Sequence, residues 1–164
     1  MDNSHYLDKF NTALNLLERE KFSNQQLELK VGFWMNSVVL KIQKDTWRNK
    51  TAIPFKSSIF FSIWISDALI KQNKLVYNIH ALKLRELTGY TIKSREFAEA
   101  FRQRFKAFEN SWPNVGVNFG PLTLMEGWVS IDDDNIENDI ADLANQFLAI
   151  AYIIDDLLAE RKKY

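Results

Sequence analysis

The C-terminal end of this chain has one apolar stripe of helical periodicity, which constrains the fold more than any other feature. Seven large apolar residues recur at alternating spacings of four and three: Ile136, Ile140, Leu143, Phe147, Ile150, Ile154 and Leu157. This spacing places their side chains on one side of an α-helix. Four further apolar residues widen the stripe: Leu148, Ala151, Ile153 and Leu158. A wide stripe suits a helix that packs on a sheet better than a strict two-stranded coiled coil, although a homodimer through its unused part stays open as an alternative.

Length and composition predict one globular domain over residues 1–164. The chain is rich in aromatic residues, with 12 Phe, 5 Trp and 5 Tyr, and has only 5 Gly and 3 Pro. It has no cysteine, which excludes disulfides, thiolate metal sites and cysteine nucleophiles. The N-terminal residues do not resemble a secretory signal, and the longest apolar run, residues 59–65, is too short to span a membrane. We therefore expect a cytoplasmic protein without a membrane-spanning segment.

Four segments alternate between apolar and polar residues with a period of two, which is typical of half-buried strands. Residues 27–33 and 38–42 alternate on either side of a short break that contains Asn36, and this pattern predicts a β-hairpin. Residues 59–65 and 75–81 predict two more strands. The first of these is rich in β-branched and aromatic residues, which favours a strand, but a helix over residues 58–70 stays open as an alternative.

Two further helices and two further strands complete the prediction. A first helix begins near Asn3 or Ser4 and ends near Lys21, and a second begins at Ser94 with phenylalanines at helical spacing. Residues 115–119 and 122–128 read as strands on either side of Gly120 and Pro121. The predicted fold is α+β, with an antiparallel sheet of about six strands covered by three helices, the last of them long and amphipathic.

The charge is distributed unevenly although the formal net charge is zero. Residues 41–106 have 14 basic and 5 acidic residues, whereas residues 132–164 have 3 basic and 9 acidic residues. The acidic helix can pack near the basic middle so that the two fields partly cancel. A nucleic-acid accessory protein that uses region 41–106 is the alternative, and it requires the basic residues to cluster on one face. The zero net charge does not favour it.

Catalytic and metal-binding patterns are weak. Asp132, Asp133 and Asp134 precede a predicted helix, where carboxylates stabilise the helix start, and their spacing does not fit a calcium loop. Glu28 and Lys30 match half of a metal-dependent nuclease pattern, but no well-placed aspartate precedes them. We predict no metal and no cofactor. His80 lies on a predicted strand and could line a polar pocket as an acid–base group, so an enzyme with a pocket around His80 is a second alternative.

Surface recognition is the remaining class of function. Tryptophan and arginine are the residues that most often anchor interfaces, and two tryptophans lie at predicted strand–loop borders. The candidate binding residues are Trp47, Arg48, His80, Arg95, Arg102 and Trp112. The sequence favours a non-enzymatic, intracellular protein-binding or assembly module with a protein partner.

Overall fold

The structure is a computed structural model that describes residues 1–50 and 57–164. Five helices and five strands form in the described part of the chain. In chain order they are α1 (Asn3–Asn15), α2 (Arg19–Ser23), β1 (Glu28–Trp34), β2 (Ser37–Gln43), β3 (Ser58–Ser66), α3 (Asp67–Lys71), β4 (Lys74–Leu82), α4 (Ser94–Phe105), β5 (Thr123–Ser130) and α5 (Ile136–Ala159). The α+β prediction, with an antiparallel sheet and a long C-terminal helix, is confirmed.

The five strands form one antiparallel sheet in which neighbours along the chain are neighbours in space, in the order β1-β2-β3-β4-β5. The predicted hairpin is present, and β1 and β2 pair from Glu28 with Gln43 to Trp34 with Ser37. Its two-residue turn has positive φ at both positions, 50° at Met35 and 61° at Asn36. This is the backbone geometry of the tightest hairpin turns, whose twist matches that of the strands.

One face of the sheet is covered by the long helices, and the core lies between them. Alternate residues of the central strands, among them Ile59, Phe61 and Ile63, join α1, α4 and α5 in one hydrophobic cluster. Phe147 of α5 stacks on Phe61 of β3, with ring centroids 4.5 Å apart. All seven residues of the C-terminal stripe are fully buried or nearly so. Helix α5 packs along the sheet, as the width of its apolar stripe predicts.

Residues 58–70, for which the sequence left both a strand and a helix open, form a strand followed by a short helix. Residues Ser58–Ser66 form strand β3, so the strand prediction is confirmed there, and Asp67–Lys71 form the short helix α3. The Ser66 hydroxyl accepts a hydrogen bond from the Leu69 N–H and so caps this helix. The first helix also differs from the prediction, since α1 is capped by Asp2 and ends at Asn15.

The predicted strand over residues 115–119 does not form. Only Gly116 pairs there, through an isolated bridge to Glu126 of β5. The reason is a tertiary contact, because the Arg102 guanidinium donates hydrogen bonds to the Phe119 and Gly120 carbonyls. These bonds hold the end of the segment against α4 instead of along the edge of the sheet. Of the helices that the structure describes, none is both long and apolar enough to cross a membrane.

Candidate binding face

The second face of the sheet has a different set of side chains, which point away from the long helices. Its aromatic and large apolar residues do not belong to the core cluster, and most are partly exposed. We call this surface the open face. Its principal residues are Lys30, Gly32, Trp34, Val39, Lys41, Phe60, Ser62, Trp64, Lys74, Val76, Asn78, His80, Glu126 and Trp128.

An apolar row crosses the open face at one level of all five strands. The strand register pairs its members in sequence from β1 to β5: Gly32, Val39, Trp64, Val76 and Trp128. We call this set the apolar row. Side chains that are directly opposite on neighbouring strands lie about 5 Å apart, so the row is continuous. Trp34, Val39, Trp64 and Trp128 are each partly exposed, whereas Val76 is 7% exposed. The row is therefore a partly exposed apolar band on the sheet surface.

Because Gly32 has no side chain, the Trp34 indole occupies its place in the apolar row. The Trp34 indole folds back along β1 and covers Gly32, and a Cβ added at Gly32 would lie 2.7 Å from the nearest ring carbon of Trp34. No real Cβ is found so close to a ring, so a side chain at position 32 would displace the indole. The row therefore has an aromatic side chain at both ends, Trp34 over β1 and Trp128 on β5.

Three lysines of the open face lie beside aromatic rings. The Nζ atom of Lys41 is 4.3 Å from the Phe60 ring centroid, that of Lys74 is 4.6 Å from the Trp128 ring, and that of Lys30 is 5.7 Å from the Trp34 ring. Cations at these distances are attracted by the faces of the rings. The ion pairs found among the described residues include none of the three. Their charges therefore remain available to an acidic group from outside.

Two basic groups of the open face have lowered pKa values. Lys30 and Lys41 are directly opposite each other on β1 and β2. Burial lowers the pKa of Lys41 below its usual range, and the charges of Arg48 and Lys30 lower it further. Burial also lowers the pKa of His80, and the Lys41 ammonium adds to the shift. An imidazole in this environment stays neutral near pH 7, so it supplies polarity to the surface but no charge.

A polar row runs beside the apolar row, also at one level of five strands. In order from β1 to β5 its residues are Lys30, Lys41, Ser62, Asn78 and Glu126. The Ser62 hydroxyl donates to Asn78 Oδ1 at 2.5 Å, and Asn78 Nδ2 donates to Glu126 Oε1 at 3.0 Å. This row, which we call the charge row, is basic on β1 and β2 and acidic on β5.

Trp64 lies at the centre of the apolar row and has an unsatisfied donor. Its Nε1 atom is buried, and no described group accepts its hydrogen bond. A buried N–H without an acceptor costs about 1–3 kcal/mol.

Trp47 and Trp112, which the sequence favours as interface anchors, lie in the core instead. Trp47 is completely buried, and its Nε1 donates to Asp155 Oδ1 at 2.8 Å. Trp112 is 4% exposed and contacts Tyr77, with ring centroids 5.2 Å apart. Each of these two indoles is therefore enclosed by residues distant in sequence and is not exposed at the surface of the structure.

The other predicted binding residues do not come together. Arg48 is exposed and pairs with Asp45 at 2.6 Å. Arg95 is exposed on α4, where it lines a shallow depression with Arg102. The Arg102 guanidinium already donates hydrogen bonds to backbone carbonyl groups, including that of Thr123 at 2.8 Å. Of the predicted set, His80 lies on the open face, and Arg48 lies at its edge, where it pairs with Ser58 through an isolated bridge and its charge acts on Lys41. Arg95 and Arg102 lie on α4, away from these two residues.

The candidate catalytic and metal-binding residues lie on separate elements of the fold. Within the two described ranges, no group of three or more His, Asp or Glu side chains could hold a metal ion. The exposed Asp133 contacts His5 Nε2 at 2.9 Å, which joins the loop before α5 to the start of α1. Glu28 and Lys30 are both exposed on edge strand β1. His80 has Phe60 and Lys41 as neighbours and lies opposite Thr123 of β5 in the strand register.

Sequence reasoning overlooked the tryptophans and lysines of the open face. Their signal is in the strand patterns, because residues 39, 41, 62, 64, 76 and 78 occupy the second face of the alternation. Comparison with models of protein families, with curated protein sequences and with solved structures finds no match for this chain. The fold and the open face define a class by geometry alone: an α+β domain with one face of its sheet buried under helices and the other aromatic and basic.

Proposed function

We propose that this protein is a non-enzymatic protein-binding or assembly module and that the open face is its binding surface. The observation that supports this function best is the apolar row, which crosses all five strands outside the core. Fully buried aromatic side chains at the centre of a patch supply most of the binding energy in protein interfaces. Trp64 occupies that central position here.

The chemistry of the partner follows from the two rows. An apolar strip on the partner would cover Trp64 and the valines beside it, and burial of this surface would contribute roughly 25 cal/mol for each Å² of apolar area. Acidic groups on the partner would pair with Lys30, Lys41 and Lys74. These lysines would then set orientation and association rate more than affinity.

An affinity capture with matched variants tests this function. The wild-type chain, Val39→Lys and Tyr152→Lys are each used to recover partners from a lysate of the source cells, with nuclease present. Val39 lies in the apolar row, whereas Tyr152 is an exposed apolar residue of α5 on the opposite side of the molecule, 49% exposed. We expect one protein to be recovered by the wild type and by Tyr152→Lys, and to be lost with Val39→Lys.

The partner found in this way is then purified and its affinity measured directly. Trp128→Ser, a variant at the β5 end of the apolar row, should weaken binding about tenfold, because tryptophan is enriched among the residues whose removal costs an interface about 2 kcal/mol or more. Urea unfolding of each variant confirms that the fold is intact. Equal binding by the wild type and by both folded open-face variants would contradict the proposal.

Single-stranded nucleic acid is a second candidate for the open face, and the lysine–aromatic pairs favour it. Bases stack on aromatic faces while lysines contact the phosphates. A fluorescent oligonucleotide titrated at two salt concentrations tests this candidate. Affinity that falls steeply with salt and is lost in Lys41→Glu would support it, since phosphate contacts release bound counterions. No binding at low salt would eliminate it.

A further inference from the structure

We infer that the partner of the open face is the open face of a second copy of this chain, related by a two-fold axis parallel to β3. This inference rests on the proposed function, because it gives the occupant of the same surface. It comes from the charge row, which has opposite charges at its two ends, and from the continuity of the apolar row beside it.

The charge row is complementary to itself when it is reversed. A two-fold axis that lies between two stacked sheets and runs along their strands places β1 of one copy over β5 of the other and keeps each row at the same level. Lys30 would then face Glu126 of the second copy, and Lys41 would lie one strand away from that carboxylate. The contact occurs twice by symmetry, which is the defining property of a two-fold interface.

The other face-to-face two-fold arrangement is unfavourable. An axis perpendicular to the strands would place β1 over β1, so that Lys30 would lie four strands away from Glu126 of the second copy wherever the axis crosses. Where the axis crosses at the charge row, it would bring Lys30 and Lys41 against the same two lysines of the second copy. Like charges in contact across an interface cost several kcal/mol. The distribution of charge therefore selects one of the two arrangements, and it does so without any group from a different molecule.

The apolar row gives the pair its common core. In the selected arrangement the Trp64 side chains of the two copies lie near the axis, with Val39 and Val76 on either side. Sheets that pack face to face lie about 10 Å apart with interlocking side chains. Small residues beside a large one allow such interlocking, since each indole can enter the space above a valine.

The size of the open face is close to what a specific dimer requires. Five strands at about 4.8 Å spacing and roughly eight residues at about 3.4 Å each give a surface of about 24 by 27 Å. Its flat area of about 650 Å², enlarged by the side chains that project from it, is comparable with the roughly 800 Å² that each partner buries in a standard interface.

Zero-length cross-linking with a carbodiimide tests the arrangement on the unmodified protein. This reagent joins a lysine amine to a carboxylate only when the two are in contact. Within one copy, Lys30 is four strands away from Glu126, about 19 Å, so it cannot react with that residue. We expect cross-linked dimers whose peptides join Lys30 or Lys41 to Glu126. Dimers joined only through other residues would overturn the inference.

Charge reversal provides the matched test. Lys30→Glu and Glu126→Lys should each weaken the dimer about tenfold in sedimentation equilibrium, which corresponds to about 1.4 kcal/mol. An equimolar mixture of the two variants should restore wild-type affinity, because each copy then faces its opposite charge at both contacts. Lys106→Glu, at the end of α4 on the helical side, should have no effect. A dimer that is insensitive to both variants would overturn the inference.

Failure of this inference can be distinguished from failure of the proposed function. A wild-type chain that stays monomeric at all concentrations overturns self-association. If that monomer still binds a different protein that Val39→Lys fails to bind, the open face remains a protein-binding surface. If the monomer instead binds an oligonucleotide through Lys41, self-association is overturned in favour of nucleic acid.

Discussion

Trp47 and Asp155 are joined by a hydrogen bond of 2.8 Å from the indole Nε1 to Oδ1 of the carboxylate, across 108 positions of sequence. The second oxygen of the carboxylate accepts a 2.6 Å hydrogen bond from Lys44. Trp47 also lies edge-on to Phe147, with ring centroids 6.0 Å apart. One carboxylate of α5 thus attaches the turn that follows β2 to the helical layer.

Removal of this carboxylate should destabilise the protein. Asp155→Leu leaves the buried Trp47 N–H without an acceptor, and we expect the free energy of unfolding to fall by about 1–3 kcal/mol. Asp155→Asn retains an oxygen acceptor and should cost less. Urea unfolding of the two variants measures the difference. Equal destabilisation would show that charge, and not the hydrogen bond to Trp47, is the main contribution.

Gly127 should not tolerate a side chain. A Cβ at this position would overlap the hydroxyl end of Tyr77, which donates a 2.7 Å hydrogen bond to the Pro113 carbonyl. We expect Gly127→Ala to cost about 1–3 kcal/mol of stability through overpacking. The cost should be smaller in a Tyr77→Leu background, where both the hydroxyl and the ring carbon that carries it are absent. A double-mutant cycle measures this coupling, and strictly additive effects would contradict the overlap.

Repulsion between Lys30 and Lys41 should lower the stability of the sheet. Like charges directly opposite on neighbouring strands are unfavourable by roughly 0.2–1 kcal/mol. Lys74→Met is the control, because Lys74 also lies over an aromatic ring but is opposite Ser130. We expect the free energy of unfolding of Lys41→Met to exceed that of Lys74→Met by about 0.5 kcal/mol, when each is measured relative to the wild type. Thermal unfolding of both variants measures it, and the reverse order would contradict the prediction.

His80 should make stability depend on pH near neutrality. Because burial and Lys41 lower its pKa in the folded protein from 6.5, the unfolded chain binds a proton more readily than the folded chain does. The free energy of unfolding should therefore decrease as the pH falls below 6.5 and level off below the folded pKa. His80→Gln should reduce this decrease between about pH 8 and pH 5.5. An identical decrease in the variant would exclude His80 as its source.

Local periodicity was sufficient to predict most of the elements. The hairpin β1–β2, strands β3 and β4, and the full length of α5 follow from periods of 2 and 3.6 in the sequence. The prediction at residues 115–119 was wrong because hydrogen bonds from Arg102 hold the end of that segment against α4. Tertiary bonds of this kind leave no periodic signal in the sequence.

The open face could be predicted only in part. The alternation within each strand assigns Val39, Trp64 and Val76 to the second face, but it does not show that they lie at one level. That alignment depends on the strand register, which the turns set. The number of basic residues in region 41–106 also did not show where they lie. Arg102 donates to backbone carbonyls and Arg104 pairs with Glu160. Lys41 and Lys74, in contrast, lie on the open face.

The central claim is that the open face is the binding surface, and hydroxyl-radical footprinting tests it most directly. The protein in complex with its partner is compared with a dilute sample of the protein alone. Oxidation of each aromatic side chain is measured by mass spectrometry. If the open face is the binding surface, Trp34 and Trp128 should be protected in the assembly, while Tyr152 on α5 should be oxidised as in the free protein. Protection of Tyr152, with both tryptophans oxidised as in the free protein, would contradict the account and place the binding surface on the helices.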